Sequence, residues 1–136
     1  MIVIDSSVAF KWLVREDGSD EALALIGRPM IAPDLLMIEC GDALWKRVRR
    51  GDTPAAEAAP ALAALPIALT VVASAPLVAD AAEIAIALNH PIYDCIFLAL
   101  AERDDLPLLT ADTRFHRAVA ETPFAARMKI FGDHDA

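Results

Sequence analysis

Short apolar runs rich in β-branched residues alternate along this chain with longer stretches of helical period. The opening MIVI reads as a buried parallel strand, because such strands are covered on both faces and show no alternation. Ser6 to Leu13 then reads as a helix capped by Ser6 or Ser7. Ser19 to Ile26 reads as a second helix, capped by Ser19 or Asp20 and stopped near Gly27 and Pro29. Met30 to Ala32 is a short strand, after which Pro33 and Asp34 open a helix that runs to about Arg50 and stops at Gly51. Thr53 and Pro54 start an Ala-rich helix, interrupted or ended around Pro60 and Pro66. LTVVA reads as a strand, and Pro76 to Leu88 as a helix ending near Asn89. From Asp94 to about Arg103 the pattern is apolar all round, which marks a central, buried helix. LPLLT is a strand, Thr113 to Val119 a helix, and Met128 to Phe131 a final edge strand. Strands alternating with helices predict an α/β sandwich with a mostly parallel sheet.

A chain of 136 residues suits a single domain, residues 1–136, with a real core. No apolar run reaches the ~18 residues that span a bilayer, and the start lacks the features of a secretory signal. The expectation is a cytoplasmic protein without membrane contact. Its 57% hydrophobic content leaves surplus apolar area, which a subunit interface or an Ala-rich surface could absorb. Neither Cys40 nor Cys95 belongs to a zinc pattern, so both read as small buried fillers. The net charge of -8 argues against broad, charge-driven binding to nucleic acid. One local exception is WKRVRRGD, with Lys46, Arg47, Arg49 and Arg50. That patch reads equally as a solvated helix C-terminus, where cations suit the dipole, or as a contact for phosphate backbone.

Four acids stand out by position. Asp5 ends the first strand, and Asp112 follows the LPLLT strand by two residues. In a parallel sheet, ligands bind beyond the carboxyl ends of the strands. Glu39 and Asp94 fall on helices near that same edge, Asp94 at a helix start. Carboxylates that converge must be neutralised by protons, cations or metal. Hard ions such as Mg²⁺ or Mn²⁺ suit an all-oxygen set.

Each Asp also has a plainer reading. Asp is a favoured N-cap, and Asp5, Asp94 and Asp112 each precede a helix. Asp34 is most simply a cap after Pro33. Glu39 is harder to dismiss, since it sits among Leu35, Leu36, Ile38 and Leu44, at the margin of a buried face. Asp42 lies on roughly the same face as Glu39, or turns to Lys46 on solvent. Asp80 with Glu83, and Asp104 with Asp105, read as solvated charges. His90 reads as a structural loop residue, His116 lies one turn beyond Asp112, and His134 sits in a polar tail. No glycine-rich phosphate loop or nucleophile elbow is present.

Taken together, MIVIDSSV, the helical Glu39, YDCIFLALAE and LLTADTRF resemble a PIN-domain protein, and more narrowly the VapC-type toxins of toxin–antitoxin pairs. The likeness runs from Met1 to about Phe131. It implies a PIN-like three-layer sandwich and a metal-dependent endoribonuclease. By this resemblance, Asp5, Glu39, Asp94 and Asp112 match the acidic quartet that binds Mg²⁺ or Mn²⁺, and Ser7 and Thr110 match supporting hydroxyl positions. Relatives usually carry Asn where this chain has Asp42, which adds a negative charge near the site. The basic residues Lys46, Arg47, Arg49 and Arg50 become candidates for holding RNA. The family further implies a homodimer and a cognate antitoxin that blocks the site.

Two rivals remain in view. One is a non-catalytic domain of the same fold that only binds a partner or RNA. The other is a phosphoacceptor or phosphatase-type α/β domain. A dehalogenase-like phosphatase needs DxDxT/V after the first strand, and this chain has Asp5-Ser6-Ser7.

Overall fold

The computed structural model describes residues 1–132; His134 lies outside the described residues. Five strands form one sheet: β1 (Ile2–Ile4), β2 (Met30–Pro33), β3 (Thr70–Val72), β4 (Leu108–Thr110) and β5 (Met128–Ile130). Their order is β3-β2-β1-β4-β5, and every pairing is parallel rather than mostly so. The first three strands step one way from β1 and the last two step the other way. The topology therefore reverses between β1 and β4, where doubly wound sheets open their ligand crevice.

Seven α-helices flank the sheet among the described residues: α1 (Ser6–Leu13), α2 (Ser19–Leu23), α3 (Leu35–Arg49), α4 (Ala55–Ala68), α5 (Val78–Leu88), α6 (Ile92–Asp104) and α7 (Thr113–Val119). The core centres on α6, in which every residue from Cys95 to Ala101 is buried. A helix packed on a sheet and backed by another helix must be apolar all round, and α6 lies against β1, β2 and β4 with α5 behind it. No single helix among the described residues is long and apolar enough to cross a membrane.

Several local expectations need correction. The cap of α1 is Asp5, not Ser6 or Ser7. Helix α2 ends at Leu23, short of Ile26, and follows Gly18 in the left-handed region. Ser19 does not cap it; its hydroxyl donates to the Val14 carbonyl and accepts from the Glu16 amide. Helix α4 is not broken by Pro60 or Pro66. Both prolines are exposed, so the carbonyls they leave without a helical donor can turn to water. A short 3-10 turn, Ala75–Leu77, precedes α5, so that helix begins at Val78. Another, Pro123–Arg127, leads into β5. Asp34 stands at the cap position of α3, but its side chain makes no bond to its own helix. Instead it accepts from the Ser74 amide at 3.0 Å, while Ser74 Oγ accepts from the Leu35 amide at 3.0 Å. The cap of α3 thus comes from the far end of β3, a reciprocal clasp between distant segments.

Candidate active site

Asp5 leaves β1 buried, with 4% of its surface exposed. Its Oδ1 accepts from the Ser7 amide (3.1 Å), the Ser7 hydroxyl (2.5 Å) and the Val8 amide (3.3 Å). Its Oδ2 accepts from the Thr110 hydroxyl. The two hydroxyls also receive backbone donors from across the crevice: Ala111 N–H to Ser7 Oγ at 2.8 Å, and Asp112 N–H to Thr110 Oγ1 at 3.0 Å. Ser7 and Thr110 therefore lock the β1–α1 turn to the β4–α7 turn. Burial pushes the Asp5 carboxyl up to about 7, against the pull of the Ser7 and Thr110 bonds, and the charge of Asp94 adds to the rise.

Asp94 is not a helix cap. Helix α6 starts two residues earlier, at Ile92, and its cap position is Pro91. The Asp94 carboxylate instead meets His90, with Nε2 2.6 Å from Oδ2. The His90 ring is stacked on Phe115, centroids 5.4 Å apart, which fixes its plane. Burial raises the Asp94 pKa most; His90 opposes the rise, Asp112 reinforces it and Arg114 lowers it.

Glu39 emerges from α3 half-buried and accepts from the Ser6 hydroxyl at 2.8 Å. Its pKa is raised, first by burial and then by the charge of Asp94, with Ser6 opposing. Asp112 does cap α7, its Oδ1 accepting from the Arg114 and Phe115 amides at 2.9 and 3.2 Å. Both readings of Asp112 are thus compatible, since a cap occupies one oxygen.

The four acids lie on four separate elements, yet their charges are linked. Asp94 acts on Asp5 and on Glu39, and Asp112 acts on Asp94. Each carboxylate is held by protein donors, and acceptor capacity remains. Glu39 Oε2, Asp94 Oδ1 and Asp112 Oδ2 take no protein donor among the described residues, and Asp5 Oδ2 takes one. Among the described residues, no three His, Cys, Asp or Glu side chains are grouped so that they could hold a metal ion as they stand. The donor set still fits a hard, partly hydrated cation. It is all oxygen, and Mg²⁺ typically keeps several waters and uses one or two carboxylates.

Asp42 pairs with Lys46 at 3.1 Å, both side chains exposed, and lines one cleft together with Glu39. The basic patch is largely engaged locally as well. Arg49 stacks 4.8 Å from the Trp45 ring centroid, and Arg50 pairs with Asp52 at 3.4 Å. The Nε of Arg47 is buried without a partner. Cys40 and Cys95 are buried free thiols, pushed up to about 12 and about 11 by burial. Ser6 and His90 escaped the sequence reading as site residues. His90 stands at i−4 from Asp94, a spacing that signals contact on a helix, but Pro91 made that segment read as a loop.

An α/β domain with carboxylates gathered at the switch point of a parallel sheet defines a class of acid-site proteins. Within that class the chain belongs to the PIN domain family, whose sequence model matches residues 2–121. No curated protein sequence is similar enough to count as a match. Solved structures share the fold at low identity. PAE2754 from Pyrobaculum aerophilum superposes with a TM-score of 0.74 at 22% identity, covering 96% of this chain and 88% of that one. VapC20 of Mycobacterium tuberculosis, described as a sarcin-ricin loop cleaving toxin, gives 0.68 at 18% identity over 87% and 95%. VapBC2 from Rickettsia felis, solved bound to a promoter DNA fragment, gives 0.69 at 12% identity over 96% and 99%.

Proposed function

We propose that this chain is a Mg²⁺- or Mn²⁺-dependent endoribonuclease toxin, inhibited by a cognate antitoxin. The observation that carries this reading is the linkage of Asp5, Glu39 and Asp112 through the charge of Asp94 at the β1/β4 crevice. Membership of the PIN family and the likeness to VapC20 and VapBC2 support it.

Asp5, Asp94 and Asp112 would hold the cation, and Glu39 would bind it directly or orient a water. A bound divalent ion supplies an activated water and neutralises charge on the phosphate and the leaving oxygen. The chain's own part is placement. Ser7 and Thr110 fix Asp5, Ser6 fixes Glu39, and His90 fixes Asp94, so the free oxygens point from a rigid frame. Carboxylates this crowded repel RNA until cation charge offsets them, so substrate binding and metal binding are coupled. Lys46, Arg47, Arg49 and Arg50 are the candidates for the RNA backbone, with Arg114, close enough to act on Asp94, added to them. In this reading the enzyme acts in the cytoplasm as a homodimer.

The test is cleavage of end-labelled total RNA with Mg²⁺ or Mn²⁺, against EDTA and against Asp94→Asn prepared identically. Discrete metal-dependent products that vanish in Asp94→Asn are expected. Absence of cleavage, with no rise in melting temperature on adding millimolar Mn²⁺, would favour instead a non-catalytic binding module, the alternative suggested by the lack of a group of three metal-holding side chains among the described residues.

A further inference from the structure

Most cations of this chain are engaged close to where they stand. Of its 12 Lys and Arg side chains, Lys11, Arg15, Lys46, Arg50, Arg103 and Arg127 pair with carboxylates, and Arg49 lies against the Trp45 ring. Arg114 and Arg117 differ. Both are exposed on α7, and neither pairs with a carboxylate among the described residues. Arg28, Arg47 and Lys129 also lack such a pair, but none of these three lies on the helix that Asp112 caps. Phe115 and Val119 bury one face of α7, which leaves positions 114 and 117 toward solvent, with Cβ atoms about 5–6 Å apart. The helix is anchored at its start by the Asp112 cap and by the stacking of Phe115 on His90. Three carboxylates are close to the pair. Asp112 bonds the amide of Arg114, not its guanidinium; Asp94 feels Arg114 through its charge; and Glu121 stands four residues after Arg117 without an ion pair to it.

We propose that Arg114 and Arg117 form a phosphate track along α7 that holds the substrate backbone on that side of the acid site. This rests on the ribonuclease reading above and adds the path of the strand, which leaves the crevice over α7 in preference to the α3 patch. Three features favour that occupant. A strand cut at the acids carries further phosphates on either side of the cut, and Arg114 stands two residues past Asp112. A guanidinium grips phosphate oxygens two at a time in a fixed geometry, and the step from 114 to 117 is comparable to that between successive phosphates of one strand. Finally, a net charge of -8 denies the chain a broad field for a polyanion, so the cations that hold it must be local and not already neutralised. Arg114 and Arg117 meet both conditions, whereas Lys46 and Arg50 of the α3 patch are paired.

The experiment reads salt dependence, because each phosphate contact releases counterions and steepens it. A short fluorescein-labelled RNA of mixed sequence is titrated with Asp94→Asn protein by fluorescence anisotropy, between about 50 and 200 mM KCl. The slope of log K against log salt should become shallower by about 0.7 for each of Arg114→Gln and Arg117→Gln, the value of one single-strand phosphate contact. Arg114→Lys and Arg117→Lys keep the slope, since charge sets it. Arg103→Gln removes an equal charge at the far end of α6 and keeps it too. A merely structural role for either arginine would move stability and leave the slope in place. In protein that retains Asp94, Arg117→Gln should raise KM for RNA while kcat changes less. Unchanged slopes in both Gln variants would overturn the proposal and leave the pair to the carboxylates of a protein partner. Equal shallowing in Arg103→Gln would overturn it as well, by showing a diffuse charge effect, and so would a failure of the Asp94→Asn protein to bind the strand at the lowest salt. If the protein with Asp94 cleaves no RNA yet the slopes shift, the ribonuclease reading falls and the track stands. Cleavage that depends on Asp94 with unchanged slopes gives the reverse result.

Discussion

At the end of β1, Asp5 accepts from the amides of Ser7 and Val8; at the end of β4, Asp112 accepts from those of Arg114 and Phe115. The two turns are the same device, a strand-end Asp capping the helix that follows. They differ in what surrounds the carboxylate. Asp5 is buried and also takes the hydroxyls of Ser7 and Thr110, whereas Asp112 is half-exposed and takes the two amides alone. The difference teaches that capping and catalysis are not competing explanations of an Asp. A cap occupies one oxygen, and the fold decides what the other oxygen sees. It also separates the two costs of removing the side chain, since Asp5 anchors a buried network and Asp112 a surface cap.

Four measurements break or sharpen that comparison. The largest effect is expected in RNA cleavage by Asp5→Asn and Asp112→Asn. Asn caps helices as well as Asp does, so a purely structural role predicts little change. Loss of a ligand carboxylate predicts a fall of at least about 100-fold for both. Cleavage near the unaltered rate in either variant would remove that acid from the site.

Stability comes next. Asp5→Ala leaves two buried hydroxyls and two amides short of their acceptor, and should cost about 2–4 kcal/mol in urea unfolding. Asp112→Ala should cost about 1 kcal/mol, the usual value of a cap. Equal costs would mean that burial does not distinguish the two turns.

The pH dependence follows from the raised acids. Folding shifts Asp5 upward from 3.8 to about 7, so the folded state prefers its protonated form. Its contribution to stability is fully present below about pH 4 and is lost as pH rises through about 7. Glu39 and Asp94 are raised too and act in the same direction. In metal-free buffer the melting temperature should therefore fall across this window, and fall less in Asp5→Asn. A profile as steep in Asp5→Asn as in the unaltered protein would place the titration elsewhere.

The smallest effect concerns the hydroxyls that join the turns. Thr110→Val removes the bond to Asp5 Oδ2 and the acceptor for the Asp112 amide. We expect a loss of about 1–2 kcal/mol and a weaker thermal response to Mn²⁺. An unchanged response would show that Asp5 holds its orientation without Thr110.

Much of this protein follows from one-dimensional signals. Short apolar runs set β1 and β4, the all-round apolar CIFLALA set α6 as the core helix, and Asp5 and Asp112 follow the two strands. These signals are local: a strand's apolar run, a helix's period and a cap each involve residues within a turn or so of one another. Other features depended on which strand neighbours which. Ser6 meets Glu39 across 33 positions and Thr110 meets Asp5 across 105, because β1 lies between β2 and β4. No periodicity encodes such a meeting. The prolines of α4 read as breaks because propensity prices a lost hydrogen bond without knowing that the helix is exposed. Sequence alone determined most of the elements and put Asp5 and Asp112 just past the ends of β1 and β4. Only the tertiary structure decided that Asp5 is buried while Asp112 is not, because burial is set by neighbours that the chain brings from far away.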